Sequence, residues 1–319
     1  MAARPKILFA DDVHECLLEI FREDLPDGFD LEILAQDTPE EKIRAIESTD
    51  YVMIWSGGIP TEAITRAKQL KLIQKCGQGL DNLPVEEARS RGIPVANAGG
   101  TNSTAVAEMA VLLTLAVYRR LSQIDTALRA GTFYKYELRS HFHEIEDKTV
   151  GIVGLGTIGK KVAKRLSGFD CRIVYNDIDR PDPVIEQSLG VEYLPLNELL
   201  RQSDILTLHV PLTSDTRRLI DAESLSMMKS SAVVINTSRG PVVDQDALYS
   251  ALLEGRIAGA GLDVFEKEPP EDMPLLHMDQ VVLSPHIAGG TIEAARRTIQ
   301  AGYENILRVH NGESPINVA

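Results

Sequence analysis

Cysteine, tryptophan and aromatic residues are scarce in this 319-residue chain, which has three Cys, one Trp and 5% aromatics. Cys16, Cys76 and Cys171 are odd in number and scattered, with no CxxC pair. Neither a disulfide framework nor a zinc site is expected from them, and a reducing compartment, the cytoplasm, is. Positive charge is also short: 33 Lys and Arg stand against 47 Asp and Glu, a net charge of −14. That balance argues against nucleic-acid or anionic-membrane partners, which need a basic face. No long hydrophobic run occurs. The richest helical pattern, Ala105 to Val117, contains Glu108 and falls short of a membrane span. Met1-Ala2-Ala3-Arg4-Pro5 leads straight into a short strand pattern, without the apolar core of a signal peptide. Internal repeats and low-complexity tracts are absent as well.

What is present is 44% apolar and 25% charged residues, the balance of a soluble globular protein long enough for two domains. Short apolar runs alternate with helical patterns from end to end, so the expected fold is α/β with largely parallel sheets. Strands are expected at Lys6–Ala10, Leu31–Leu34, Tyr51–Trp55, Leu72–Lys75 and Pro94–Ala96. These already make a complete small unit.

Mid-chain, Val150-Gly151-Ile152-Val153-Gly154-Leu155-Gly156-Thr157-Ile158-Gly159 reads as strand, tight turn and helix. Gly154 permits the turn, Gly156 lets the backbone approach a pyrophosphate, and Gly159 lets the helix pack closely on the strand. The helix N-terminus, with Thr157 and Ile158, offers N–H groups and a positive dipole end to phosphates. A second apolar run, Cys171–Tyr175, stops at Asn176-Asp177, eighteen residues past Gly159. A carboxylate there accepts the ribose hydroxyls of NAD and repels the 2′-phosphate of NADP. Arg180, three residues on, could meet such a phosphate, yet Asp177 favours NAD. Further strands near Ile205–His209, Ala232–Ile235, Gly259–Leu262 and Val281–Leu283 complete a six-stranded doubly wound domain.

The last amphipathic helix, Thr291 to Asn311, is expected to return to the first domain. The expected division is therefore 1–99 with 291–319, and 100–290 for the cofactor. Two helices, Ser103–Arg129 and Thr291–Asn311, would cross it and form a hinge beside a ligand cleft. Ser103–Arg129 is apolar on nearly every side through Ala105, Val106, Met109, Leu112, Leu113, Leu115 and Val117. Such a helix is buried in core or against a partner chain, and a homodimer is the expectation.

Nicotinamide chemistry on an alcohol or ketone needs a proton carrier, a cation for an acidic substrate and electrostatic support. Arg239 in Asn236-Thr237-Ser238-Arg239-Gly240, Glu268 in Asp263–Pro270, and His286 in Ser284-Pro285-His286-Ile287-Ala288-Gly289 all fall beyond strand ends. Ligands of doubly wound sheets bind there.

With these motifs, and with Lys75-Cys76-Gly77-Gln78-Gly79-Leu80-Asp81-Asn82, Asn102–Glu108 and His209-Val210-Pro211-Leu212, the chain resembles the D-isomer-specific 2-hydroxyacid dehydrogenases. The resemblance covers nearly the whole length, with phosphoglycerate dehydrogenases and glyoxylate or hydroxypyruvate reductases as the nearest types. It implies a Rossmann domain inserted in a discontinuous flavodoxin-like substrate domain. It implies hydride exchange between NAD(H) and a small 2-oxo acid or (2R)-hydroxy acid. By the same resemblance, Arg239 binds the substrate carboxylate, His286 exchanges the proton, and Glu268 holds His286 and favours its charged form. Thr104, Val210, Pro211, Thr237, Ser238, Asp263 and Gly289, with Arg239 and His286, would line the cofactor. Ser56, Gly57, Gln78 and Gly79 would meet the substrate. Asp263 has a structural alternative, capping the loop after Leu262.

Other residues have quieter readings. His141 and His143 look like a metal pair without a third ligand, so a solvated loop and no metal are expected. His209 is assigned a structural role and Cys76 a buried one. A non-catalytic alternative is an NAD-sensing corepressor-like protein on the same scaffold. A formate-oxidising branch pairs its histidine with glutamine where Glu268 stands. With the last residue at Ala319, the C-terminal regulatory domain of longer phosphoglycerate dehydrogenases is not expected.

Overall fold

Lys6-Ile7-Leu8-Phe9 buries every side chain after the lysine, and continuous apolar runs of this kind belong to parallel strands covered on both faces. The chain, seen in a computed structural model that describes residues 4–12, 14–55 and 57–319, divides into two units. One runs to Asn102 and resumes over Gly290–Ala319, and the other is Ser103–Gly289.

The first unit alternates β1 (Lys6–Phe9), α1 (Glu15–Glu23), β2 (Asp30–Ile33), α2 (Pro39–Ile46), β3 (Tyr51–Ile54), α3 (Thr61–Arg66), β4 (Leu72–Lys75), α4 (Val85–Ser90) and β5 (Val95–Ala96). Its five strands are parallel in the order β2-β1-β3-β4-β5, each where a strand was expected. Alternate residues feed two cores: Leu8, Val52, Ile54 and Ile73 on one face, Ile7, Phe9, Tyr51, Met53 and Leu72 on the other.

The second unit opens with α5 (Ser103–Tyr118) and α6 (Leu121–Arg129). It continues through β6 (Thr149–Val153), α7 (Thr157–Leu166), β7 (Arg172–Asn176), α8 (Pro183–Leu189), β8 (Val191–Tyr193), α9 (Leu196–Gln202) and β9 (Ile205–Leu208). It closes with α10 (Ala222–Met227), β10 (Val233–Asn236), α11 (Gln245–Leu253), β11 (Gly259–Leu262) and β12 (Val281–Leu283). The sheet has seven strands, ordered β12-β11-β10-β9-β6-β7-β8, where six were expected. The additional strand is β8, whose three residues are too few to show a period. Asp182, Asp221 and Asp244 cap α8, α10 and α11 through side-chain acceptors, satisfying first-turn N–H groups.

Two expectations about helices change. The stretch Ser103–Arg129 is not one helix: Arg120 takes the left-handed conformation (φ 48°) and separates α5 from α6. Of the apolar residues on α5, Ala105, Val106, Leu113 and Val117 are buried within the fold, whereas Leu112 is exposed. The return helix α12 (Ile292–His310), capped by Thr291, lies wholly in the first unit, as α5 lies wholly in the second. Neither therefore crosses the division. Ala295, Ile299, Tyr303 and Ile306 of α12 join the core of Phe9, Phe21 and Met53. Among the described residues no helix is long and apolar enough to cross a membrane.

Candidate active site

The turn from β6 into α7 sits where the strand order of the second sheet reverses, between β6 and β9. Gly154 has φ +93°, and a Cβ on it would lie 2.5 Å from the His209 carbonyl oxygen. A Cβ on Gly159 would lie 2.1 Å from the Gly154 carbonyl oxygen, so helix and turn meet at backbone distance. Around Gly156, by contrast, a Cβ would meet open space. Thr157 and Ile158 begin the helix there. Asp177, just past β7, accepts the Leu155 N–H at 2.6 Å on one carboxylate oxygen and the Asp179 N–H at 3.1 Å on the other. The acid is thereby locked to the glycine turn.

Two buried polar atoms just past β9 and β10 lack a protein partner, His209 Nδ1 and Thr237 Oγ1. Buried polar atoms are normally satisfied, and these suit a polar ligand lying along the strand ends. With the open backbone at Gly156, the helix N-terminus and the anchored Asp177, the donor set fits a dinucleotide. His209 itself is not an acid–base group: burial pushes its imidazole down to about 3, and its Nε2 lies 2.9 Å from Thr207 Oγ1. Arg180 is held by Glu186 at 2.8 and 3.2 Å and lies over the Tyr193 ring.

Arg239, Glu268 and His286 follow β10, β11 and β12, adjacent strands of one sheet. His286 Nδ1 lies 2.6 Å from Glu268 Oε2, and Glu268 Oε1 accepts the Phe265 N–H at 2.9 Å. Burial works against the Glu268 carboxylate, but the His286 and Phe265 hydrogen bonds and the charges of His286 and Arg239 outweigh it. Its carboxyl therefore lies below the ordinary range. An ionised Glu268 can only accept, so Nδ1 carries the donated proton and Nε2 stands outside that bond. The Arg239 guanidinium is half-buried and donates to the Ser238 carbonyl at 2.8 Å.

The loops that carry these side chains are themselves held. His286 has φ +53°, a conformation that costs a non-glycine residue energy unless its surroundings enforce it. Asp263, fully buried, does so: its carboxylate accepts from Ser284 Oγ at 2.6 Å, Ile287 N at 3.0 Å and Ala288 N at 2.9 Å. Asn236 accepts from the Ser238 N–H at 3.0 Å and hydroxyl at 2.7 Å and donates to the Arg239 carbonyl at 2.9 Å. Gly240 then allows the Arg239 loop to touch the Glu268 loop, since a Cβ would sit 1.9 Å from the Phe265 carbonyl carbon. Asn236 and Ser284 were not singled out from the sequence. The available signal was an Asx turn at the end of an apolar run.

The remaining candidates lie as follows. Thr104 is in the first turn of α5, Val210 and Pro211 follow β9, and Gly289 ends the second unit. Gly57 follows β3, and Gln78 and Gly79 follow β4, all in the first unit. Ser56 lies outside the described residues. His141 is exposed, and His143 lies in the following loop, partly buried, where its N–H donates to the Tyr118 carbonyl at 3.0 Å and its ring packs edge-on against Tyr118. Cys76 is buried, which pushes its thiol up.

Residues 111–288 match the family model described as the D-isomer specific 2-hydroxyacid dehydrogenase NAD-binding domain. A glyoxylate reductase of Korarchaeum cryptofilum is 39% identical over 99% of this chain and 96% of its own. A D-3-phosphoglycerate dehydrogenase of Methanocaldococcus jannaschii is also 39% identical, over 98% of this chain and 59% of its own length. The apo crystal structure of Rhodotorula graminis D-mandelate dehydrogenase superposes with a TM-score of 0.88 at 30% identity, covering 99% of this chain and 98% of that one. On these grounds the chain belongs to the D-isomer-specific 2-hydroxyacid dehydrogenases, NAD-dependent oxidoreductases acting on the CH–OH group of 2-hydroxy acids.

Proposed function

We propose that this enzyme interconverts a small 2-oxo acid and its (2R)-hydroxy acid, with His286 as the proton carrier, Glu268 as its partner and Arg239 as the anchor of the substrate carboxylate. The observation that carries this reading is the 2.6 Å bond between His286 Nδ1 and Glu268 Oε2, beside a half-buried arginine at neighbouring strand ends.

NAD(H), when bound, supplies or takes up the hydride at C2 of the substrate. Gly154, Gly156 and Gly159 with Thr157 and Ile158 would receive its pyrophosphate, and Asp177 its adenine ribose. Thr104, Val210, Pro211, Thr237, Ser238, Asp263 and Gly289 are read as further parts of the cofactor wall. In the reductive direction His286 gives the Nε2 proton to the oxygen that becomes the hydroxyl. Its imidazolium is stabilised until then by Glu268, which accepts at Nδ1 throughout and keeps the ring oriented. In the oxidative direction the neutral ring takes that proton back. Arg239 can hold a carboxylate with two parallel N–H donors, a geometry that a lysine ammonium does not reproduce. Gly57, Gln78 and Gly79 are read as the loops that meet the substrate, and Ser56 stands beside them in sequence.

Glyoxylate and hydroxypyruvate are the favoured substrates, because reductases named for them are 39–40% identical to this chain. A homodimer in the cytoplasm completes the reading. Supporting the dimer, Leu121, Leu128, Phe133, Tyr134 and Tyr136 are large apolar residues exposed along one stretch of chain. Supporting the compartment, Cys76 and Cys171 are free thiols.

The test is NADH oxidation against a panel of 2-oxo acids, from glyoxylate and hydroxypyruvate to bulky and phosphorylated ones, with NADPH in parallel. Turnover with a small acid, abolished in His286→Ala while NADH still binds, is the expected result. Normal turnover by His286→Ala overturns the assignment.

A further inference from the structure

Lys42 stands on α2 four residues before Ile46, on the side of the helix that faces the core, and only 4% of it is exposed. A charge at a core position is costly unless paired and hydrogen-bonded. Its ammonium lies 2.6 Å from Asp37 Oδ1 and 3.7 Å from Asp11 Oδ1, and donates to the Gly58 carbonyl at 2.9 Å. Asp11, equally buried just past β1, accepts the backbone N–H groups of Trp55 and of Gly57, the latter at 3.0 Å.

From the other side comes Lys75, the last residue of β4 and 5% exposed. Its ammonium reaches the Gly57 carbonyl at 3.3 Å and Asn82 Oδ1 at 3.1 Å, while Asn82 Nδ2 donates to the same Gly57 carbonyl at 2.9 Å. The segment after β3 therefore has its peptide groups tied to buried ionised side chains instead of to a strand or helix. The fit leaves no slack: a Cβ on Gly57 would lie 2.1 Å from Asp11 Oδ1 and 2.8 Å from Lys42 Nζ. One on Gly58 would lie 3.0 Å from the Asn82 carbonyl oxygen. Buried ion pairs add little stability over apolar residues of the same volume, so stability alone does not account for three ionised groups around one short loop. What they do fix is geometry.

We propose that Lys42 and Asp11 are positioning residues for substrate binding, clamping the loop at Gly57–Gly58 and, through Lys75 and Asn82, the loop that carries Gln78 and Gly79. The clamp pre-forms both loops, so the 2-oxo acid meets them already ordered and does not bear the entropy of arranging them. This rests on the reading that these two loops face the substrate. The cofactor fingerprint lies in the other unit and should be unaffected.

The test compares Lys42→Met, Asp11→Asn, the double variant and Gly57→Ala with wild type, using glyoxylate or the best acid of the panel. The readouts are KM, kcat, the Kd for NADH and the melting temperature. For folded Lys42→Met and Asp11→Asn the expectation is a KM raised about ten-fold or more. Their kcat should stay within about three-fold and the Kd for NADH should not change. The double variant removes both charges together and should show less than the product of the single effects. It also carries the test if Lys42→Met, which leaves Asp11 buried with less compensation, fails to fold. A merely structural role lowers the melting temperature and leaves KM alone. If KM is unchanged in the clamp variants but raised in Gly57→Ala, the loop meets substrate and the clamp does not position it, which overturns the proposal alone. If Gly57→Ala also keeps the wild-type KM, the substrate-loop reading falls and the proposal falls with it.

Discussion

The carbonyl of Asp263 accepts the backbone N–H of His286 at 2.7 Å, across twenty-three residues of chain. Together with the three bonds to its carboxylate, this makes a single buried aspartate the frame of the turn that presents the histidine. Asparagine at 263 would point an N–H where an N–H already arrives, leaving a buried donor unpaired. Asp263→Asn is expected to lower kcat about a hundred-fold by letting His286 leave its left-handed conformation. Stopped-flow reduction at saturating NADH checks this, and a wild-type rate would refute it.

Glu268 gives a pH signature with a definite sign. Its folded-state carboxyl lies below the ordinary value of 4.5, so its contribution to stability is fully present above that value. It is lost as pH falls through the lower, folded value. Glu268→Gln should therefore be less stable than wild type near neutrality and converge with it in acid, as followed by thermal melts over pH. It should also lower kcat by about ten- to a hundred-fold, since a neutral partner stabilises the imidazolium less.

On the proposed reading, cofactor choice depends on two carboxylates. Asp177, proposed above to receive the adenine ribose, is bonded to the glycine turn, and Glu186 neutralises Arg180, a nearby cation of the kind that suits a 2′-phosphate. Asp177→Ser with Glu186→Gln is expected to tighten NADPH binding about ten- to a hundred-fold relative to NADH. Direct titration of each cofactor, without substrate, measures it. Unchanged Kd values would show that Arg180 does not reach the phosphate.

Gly240→Ala should be among the most damaging single-methyl changes in the chain. The added carbon would overlap the Phe265–Glu266 peptide, with its nearest atom 1.9 Å away, and backbone cannot rotate aside as a side chain can. A loss of about 3 kcal/mol is expected, with kcat falling further because the Arg239 and Glu268 loops are pushed apart. Urea unfolding and steady-state kinetics on the same preparation separate the two effects.

Much was legible in the linear chain because the physics involved is local. Parallel strands are short apolar runs, so β1 to β5 and six strands of the second sheet announced themselves. The glycine turn needs three glycines at fixed spacing before a helix, and its acid must close the next strand. The family motifs around Arg239, Glu268 and His286 identified the candidates residue by residue. Only the folded chain decided the rest. β8 exists because a neighbouring strand pairs with three residues that show no period alone. Arg120 breaks a helix that nothing nearby interrupts, and its guanidinium donates to the Ala258 carbonyl, 138 positions away. Asp263 as the frame of His286, Gly240 as the contact between two loops, and Lys42 beneath a third are all relations between distant positions. Composition and spacing describe neighbours along the chain, whereas these roles depend on which peptide groups packing leaves within hydrogen-bond reach.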